Sequence, residues 1–142
     1  MLNTPFIRNA SLLLARLPIG FMFASAGFQK IGGYAGVQKY MDAMGVPGAL
    51  LPLVILAELG FGLMLIVGFQ SRYAALALAG FTLLATFIFH FNLGDQTPAL
   101  FFFKNLAITG GLMAIVGAGA GTWSVDEWKT KSDTRLAPGF GS

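Results

Sequence analysis

The stretch LLLARLPIGFMFASAGFQKIGG, residues 12–33, decides what kind of molecule this is. It is apolar over the ~20 residues that a helix needs to cross a bilayer. Yet it carries Arg16 inside it, Pro18 two residues on, and Lys30 near its far end. A guanidinium within hydrocarbon costs at least ~2.5 kcal/mol, so such a side chain faces protein or water and keeps a partner. Pro18 has no N–H to give the carbonyl of Leu14, which frees an acceptor close to Arg16. At about 100° per residue, Arg16, Gly20, Phe23, Gly27 and Lys30 share one helix face. Both charges therefore point into a bundle, and Gly20 with Ala24 offers a close helix contact on the same side.

Working outward, four apolar runs cover roughly residues 8–28, 50–69, 72–91 and 99–120. The chain has 142 residues, of which 56% are hydrophobic and 11% charged, with a mean hydropathy of +0.72. A soluble fold of this size cannot hide so much apolar surface behind so few charges. The expectation is an all-α membrane protein, a four-transmembrane-helix bundle. The first outer loop, between Gly32 and Leu50, is expected to hold a short interfacial helix over residues 35–44. Residues 1–128 form one membrane domain, and 129–142 read as a flexible cytoplasmic tail. Arg16 breaks the core that a cleaved signal peptide would need, so the first run reads as a retained span.

Charge and composition remove several classes of function. The net charge of +3 comes from scattered cations without a basic stripe, so nucleic acid is not a partner. Cysteine is absent, which excludes disulfides, thiolate metal sites and dithiol redox chemistry. One imidazole near two lysines does not make a metal site. The side holding both termini collects Arg8, Arg72, Lys129, Lys131 and Arg135, against Lys30, Lys39 and Lys104 opposite. That bias places both termini in the cytoplasm.

The remaining spans supply the chemistry. Glu58 stands mid-way along the second, where a carboxylate needs a partner. Counted at ~1.5 Å per residue, Arg16 and Glu58 differ in depth by an offset that a long side chain bridges, and an Arg16–Glu58 pair is expected. In the third span Ala75 and Ala79 allow close packing, and Thr82, Thr86 and His90 form a polar ridge leading outward. The fourth brings Lys104 and Asn105 about a turn below the outer surface, and Gly110, Ala114 and Ala118 read as a helix–helix seam. Trp123 and Trp128 suit an aromatic belt, and Ser124 to Glu127 has the spacing of a capping box.

The series Phe23-Ala-Ser-Ala-Gly-Phe-Gln-Lys30, Gly45-Val-Pro47, Ala57-Glu-Leu-Gly-Phe-Gly62, Gly68 and Arg72 resembles the DoxX family. His90, Lys104-Asn-Leu-Ala-Ile-Thr-Gly-Gly111, Gly121 and Ser124-Val-Asp126 extend the resemblance, which spans roughly residues 8–127. It implies a small four-helix inner-membrane protein of bacterial or archaeal type. Some members of that family are assigned as subunits of thiosulfate–quinone oxidoreductases, and most have no assigned activity. Enzymatic activity here would depend on a partner.

Arg16, Lys30, Glu58, His90, Lys104 and Asn105 are thus the candidate ligand-binding residues. If they converge, three fixed cations oppose one carboxylate in a low-dielectric setting, which suits an anion or a polarised carbonyl. A quinone fits that description, with Phe23, Phe87, Phe91 and Phe102 beside ring and tail. Alternatively Asp42 and Asp95 fold back on the lysines and the polar core only holds the helices together. Three functions follow: a quinone- or anion-binding subunit of a redox complex, an accessory subunit docking membrane partners or further copies of itself, and a proton-coupled transporter using Glu58.

Overall fold

The computed structural model describes residues 4–89 and 96–129. Its elements are α1 (Pro5–Gly32), α2 (Tyr34–Ala43), a 3₁₀ turn (Gly48–Leu50), α3 (Leu51–Val67), α4 (Ser71–Phe89) and α5 (Gln96–Ala118). The four long helices contain four candidate membrane spans, Pro5–Gly32, Gly48–Val67, Ser71–Ile88 and Leu100–Ala118. The interfacial α2 falls within a residue of its expected bounds. Residues 125–129 add a last helical turn. A second outer loop is expected over Asn92–Pro98, but α5 already begins at Gln96, and residues 90–95 with the tail beyond Lys129 lie outside the described residues.

Local chemistry sets the ends of these elements. Thr4 Oγ1 accepts from the Ile7 N–H at 3.2 Å and Pro5 occupies the first turn, so α1 begins there. It runs on through Pro18 for 28 residues, about 42 Å of helix against a hydrocarbon core of about 30 Å. α3 is shorter, with 17 residues. It stops at Gly68, whose φ of 76° closes the helix while the Phe69 N–H donates to Met64 O at 2.9 Å. We call the membrane face carrying the start of α1 and the end of α5 the terminal side, and the face carrying α2 the distal side.

α1 packs most closely on α3, and α4 on α5, giving two antiparallel pairs. Lipid tails are as apolar as the helices, so dense contact rather than water exclusion must hold such pairs together. The α1–α3 contact meets that demand with missing side chains. A Cβ on Gly20 would lie 2.7 Å from Gly62 O, and one on Gly27 would lie 2.9 Å from Leu59 N. Between the pairs, Phe23 and Leu65 meet Ala74, Ala75, Leu78 and Ala79 of α4 and Leu112 and Ile115 of α5.

A Cβ at position 62 would stand 2.7 Å from Ala24 N and 2.8 Å from Gly20 O, both main-chain atoms that cannot rotate away. Gly62→Ala is expected to lower the unfolding free energy by about 1–3 kcal/mol. Gly60→Ala, where nothing lies within 4 Å, is expected to be neutral or slightly stabilising. Thermal unfolding of both variants in detergent measures the difference; equal melting temperatures would contradict the close-contact reading.

One expected contact is absent. Gly110 and Ala114 face outward, and α5 turns Thr109, Leu112 and Ile115 to the interior instead. Every face of α5 is apolar, so small-residue spacing alone could not identify the buried one.

Candidate functional site

Lys30 and Glu58 meet where the small face of α1 crosses α3. Gly27 lets the α3 backbone approach, and Lys30, one turn further along α1, places Nζ 2.8 Å from Glu58 Oε2 and 3.0 Å from Oε1. Glu58 is 5% exposed, so its carboxylate is held by a cation rather than by water.

The pair borders a cavity of about 640 Å³ in the distal half of the bundle. All four long helices contribute to it, and Tyr40 and Met41 of α2 close it on the distal side. Its walls are mainly apolar, among them Phe23, Val54, Phe81 and Phe101. The polar exceptions are Lys30, Glu58, Thr82, Lys104 and Asn105. Thr82 is buried and its hydroxyl has no hydrogen-bond partner among the described residues, although its main-chain carbonyl accepts from Thr86 Oγ1 at 2.6 Å. Lys104 Nζ lies 5.3 Å from the Phe101 ring centroid.

Among the described residues Lys30 and Glu58 largely cancel each other and Lys104 leaves the cavity with an excess positive charge, while Asp95 lies outside those residues. Asp42 does not neutralise that charge. Its carboxylate accepts from the Gly48 N–H at 2.7 Å and secures the turn after α2, with Gln38 Nε2 donating to Gly48 O at 3.1 Å.

Arg16 is elsewhere, and the expected Arg16–Glu58 pair does not form. The guanidinium is 0% exposed and donates to Leu65 O at 2.8 Å, Ile66 O at 3.2 Å and Trp123 O at 2.7 Å. These α3 acceptors belong to the helix's unsatisfied final turn, where a cation also complements the helix dipole. The reason for the difference is depth. α3 ends level with Arg16 rather than with the start of α1, leaving Glu58 eight residues, or about 12 Å, further into the bundle.

The terminal side is laced by residues after α5. Asn9 Oδ1 accepts from the Thr122 N–H at 3.0 Å, and Gly68 O accepts from the Asp126 N–H at 2.9 Å. Asp126 caps α4: Oδ2 accepts from the Ser71 N–H at 2.9 Å and Oδ1 from the Gln70 N–H. Ser124 Oγ accepts from the Glu127 N–H at 3.3 Å, as its capping spacing predicts. Sequence reasoning missed Asp126 as a cap for α4, because its partners stand more than fifty positions away.

Of the candidate residues, Lys30, Glu58, Lys104 and Asn105 surround one cavity, Arg16 belongs to the terminal side, and His90 lies outside the described residues. The family model named DoxX matches residues 11–91, more than half of the chain. The chain belongs to the DoxX family. Inner membrane protein YqjF of Escherichia coli (strain K12) is 47% identical to this DoxX protein over 125 residues, 88% of this chain and 96% of its own length. Inner membrane protein YphA of the same strain is 30% identical over 127 residues, 84% of this chain and 90% of its own. No solved structure matches significantly. Four spans and these relatives make this DoxX chain a multi-pass membrane protein of the inner-membrane kind. The family match includes Lys30 and Glu58, whereas Lys104, Asn105 and Asp126 lie beyond it.

Proposed function

We propose that the distal cavity binds a quinone or a comparably sized amphiphile with polarised carbonyl or anionic oxygens, as the membrane subunit of a redox complex. The observation that carries this reading is a mainly apolar cavity of about 640 Å³ whose lining includes a few hydrogen-bonding groups and, among the described residues, an excess cation. That volume suits a drug-sized ligand, and such a layout orients an amphiphile. Lys104 Nζ, the Asn105 amide and the Thr82 hydroxyl can all donate to ring oxygens. Phe23, Phe81 and Phe101 offer apolar contact to ring and tail. Lys30 and Glu58 hold a proton-exchanging pair in the same lining. With no cysteine in the chain, a partner subunit would deliver the electrons. The cations of the terminal side, Arg8, Arg72 and Lys129, support termini in the cytoplasm.

The protein purified in mild detergent is expected to carry a quinone detectable by solvent extraction and mass spectrometry. Lys104→Met, Asn105→Leu and Glu58→Gln should each lower its occupancy about ten-fold, the effect of losing one charge-assisted contact. His90→Ala tests the remaining candidate. Wild-type protein that neither retains nor binds added quinone would rule the reading out. The outward-facing Gly110 and Ala114 favour a second reading, a non-catalytic accessory subunit that docks a partner helix at α5. In that case the variants would keep partner binding and carry no small molecule.

A further inference from the structure

We infer that the terminal side carries a separate binding site for a monoanionic phosphate group, supplied at the membrane surface by the phosphodiester of an acidic phospholipid. A second cavity, of about 570 Å³, opens where α4 begins and α5 ends. Arg8, Arg72 and Lys129 converge on it from three different parts of the chain. Among the described residues none of the three forms an ion pair, and Arg72 makes no hydrogen bond either. Arg8 spends one donor on Ala118 O at 3.1 Å, and Lys129 stands 5.0 Å from the Phe69 ring centroid. A guanidinium has five donors in a planar fork that matches phosphate oxygens, so most of that capacity is unused.

The acids in the wall do not cancel this charge. Asp126 and Glu127 line the cavity too, giving three cations against two carboxylates. Both Asp126 oxygens already accept main-chain N–H groups at the start of α4. Among the described residues the excess of one positive charge matches a phosphodiester monoanion. Two further features shape the place. Gly119 lets the chain pass Arg72 at a distance where a Cβ would sit 3.1 Å from Nε, and its φ of 80° suits glycine. The buried Ser71 hydroxyl, at the cavity wall, has no hydrogen-bond partner among the described residues.

Position selects the lipid as the source. The cavity lies at Ser71–Tyr73 and Ala118–Thr122, where the spans Ser71–Ile88 and Leu100–Ala118 reach the terminal side. That is headgroup depth, and the exposed Tyr73, Trp123 and Trp128 mark the same level. Scattered basic residues near a membrane attract acidic lipid without a site, so the test must separate saturable binding from general attraction.

The full chain in detergent is titrated with short-chain phosphatidylglycerol and with phosphatidylcholine, reading tryptophan fluorescence and, by native mass spectrometry, lipids retained per chain. One saturable phosphatidylglycerol is expected, weakened about ten-fold by Arg72→Gln and unchanged by Lys39→Gln on the distal side. Lys129→Gln should weaken it too, which keeps the test valid if Arg72→Gln misfolds. Equal losses in the Arg72 and Lys39 variants, or binding that never saturates, would overturn the site. Equal affinity for phosphatidylcholine would overturn the monoanion match. Glycerol 3-phosphate binding with the same Arg72 dependence and equal strength would overturn the lipid source and assign the site to soluble phosphate esters.

Discussion

Arg16→Ala is expected to lower the melting temperature by about 10–15 °C, the largest effect of any single substitution in this chain. The guanidinium serves three carbonyls on two segments at 2.7–3.2 Å. Charge-assisted bonds are worth about 1.5–3 kcal/mol each, so their sum is about 5–9 kcal/mol. Removing the buried charge recovers part of that through relief of its desolvation, leaving a net loss of about 3–5 kcal/mol. Arg16→Lys should recover only a minor part, because an ammonium cannot reproduce the planar fork that spans Leu65, Ile66 and Trp123. Tryptophan fluorescence during heating in detergent reads the change directly, since Trp123 is at the contact. A lysine variant as stable as wild type would show that charge alone is sufficient.

The Lys30–Glu58 pair should respond asymmetrically, and this is the second large effect. The lysine side chain is 27% exposed and the glutamate 6%. Without its partner, Lys30 can swing outward along its flexible stem, whereas Glu58 has nowhere to go. Lys30→Met is therefore expected to cost about 3 kcal/mol and Glu58→Met about 1 kcal/mol. Replacing both, as Lys30→Met with Glu58→Met, should return stability to within about 1 kcal/mol of wild type, because an apolar pair needs no desolvation. A thermodynamic cycle over the four proteins should then give a coupling of at least about 2 kcal/mol. Strictly additive losses would mean that the two side chains do not depend on each other. The double variant also separates stability from binding: a stable protein with an altered cavity wall reports on the ligand alone.

Much of this architecture could be read from the chain. Length and polarity mark four spans because hydrocarbon accepts almost nothing else, and the spacing of Arg16, Gly20, Phe23 and Gly27 identifies the inner face of α1. Partner assignment was harder, for a physical reason. Arg16 binds main-chain carbonyls, which every residue has and none advertises. The depth arithmetic behind an Arg16–Glu58 pair takes the start of α1 and the end of α3 to lie in one plane. In the structure α1 overhangs by almost three turns before it reaches Arg16. Arg8, Asn9 and Ser11 interrupt the apolar pattern of that overhang, but nothing in it marks where α3 will end. Lys104 and Asn105 could be placed near the distal surface by counting, but only the close α1–α3 contact shows that Lys30 turns down onto Glu58. On α5, uniform apolarity concealed which face is inward.

The lacing of Trp123 and Asp126 has a consequence for how the molecule is made. These two residues finish the end of α3 and the start of α4, yet they follow all four spans in the chain. While the earlier spans enter the bilayer during synthesis, Arg16 lacks one of its three acceptors and α4 has no cap. Final assembly must therefore wait for the segment that follows α5, which makes closure of the bundle a step later than insertion of the last span.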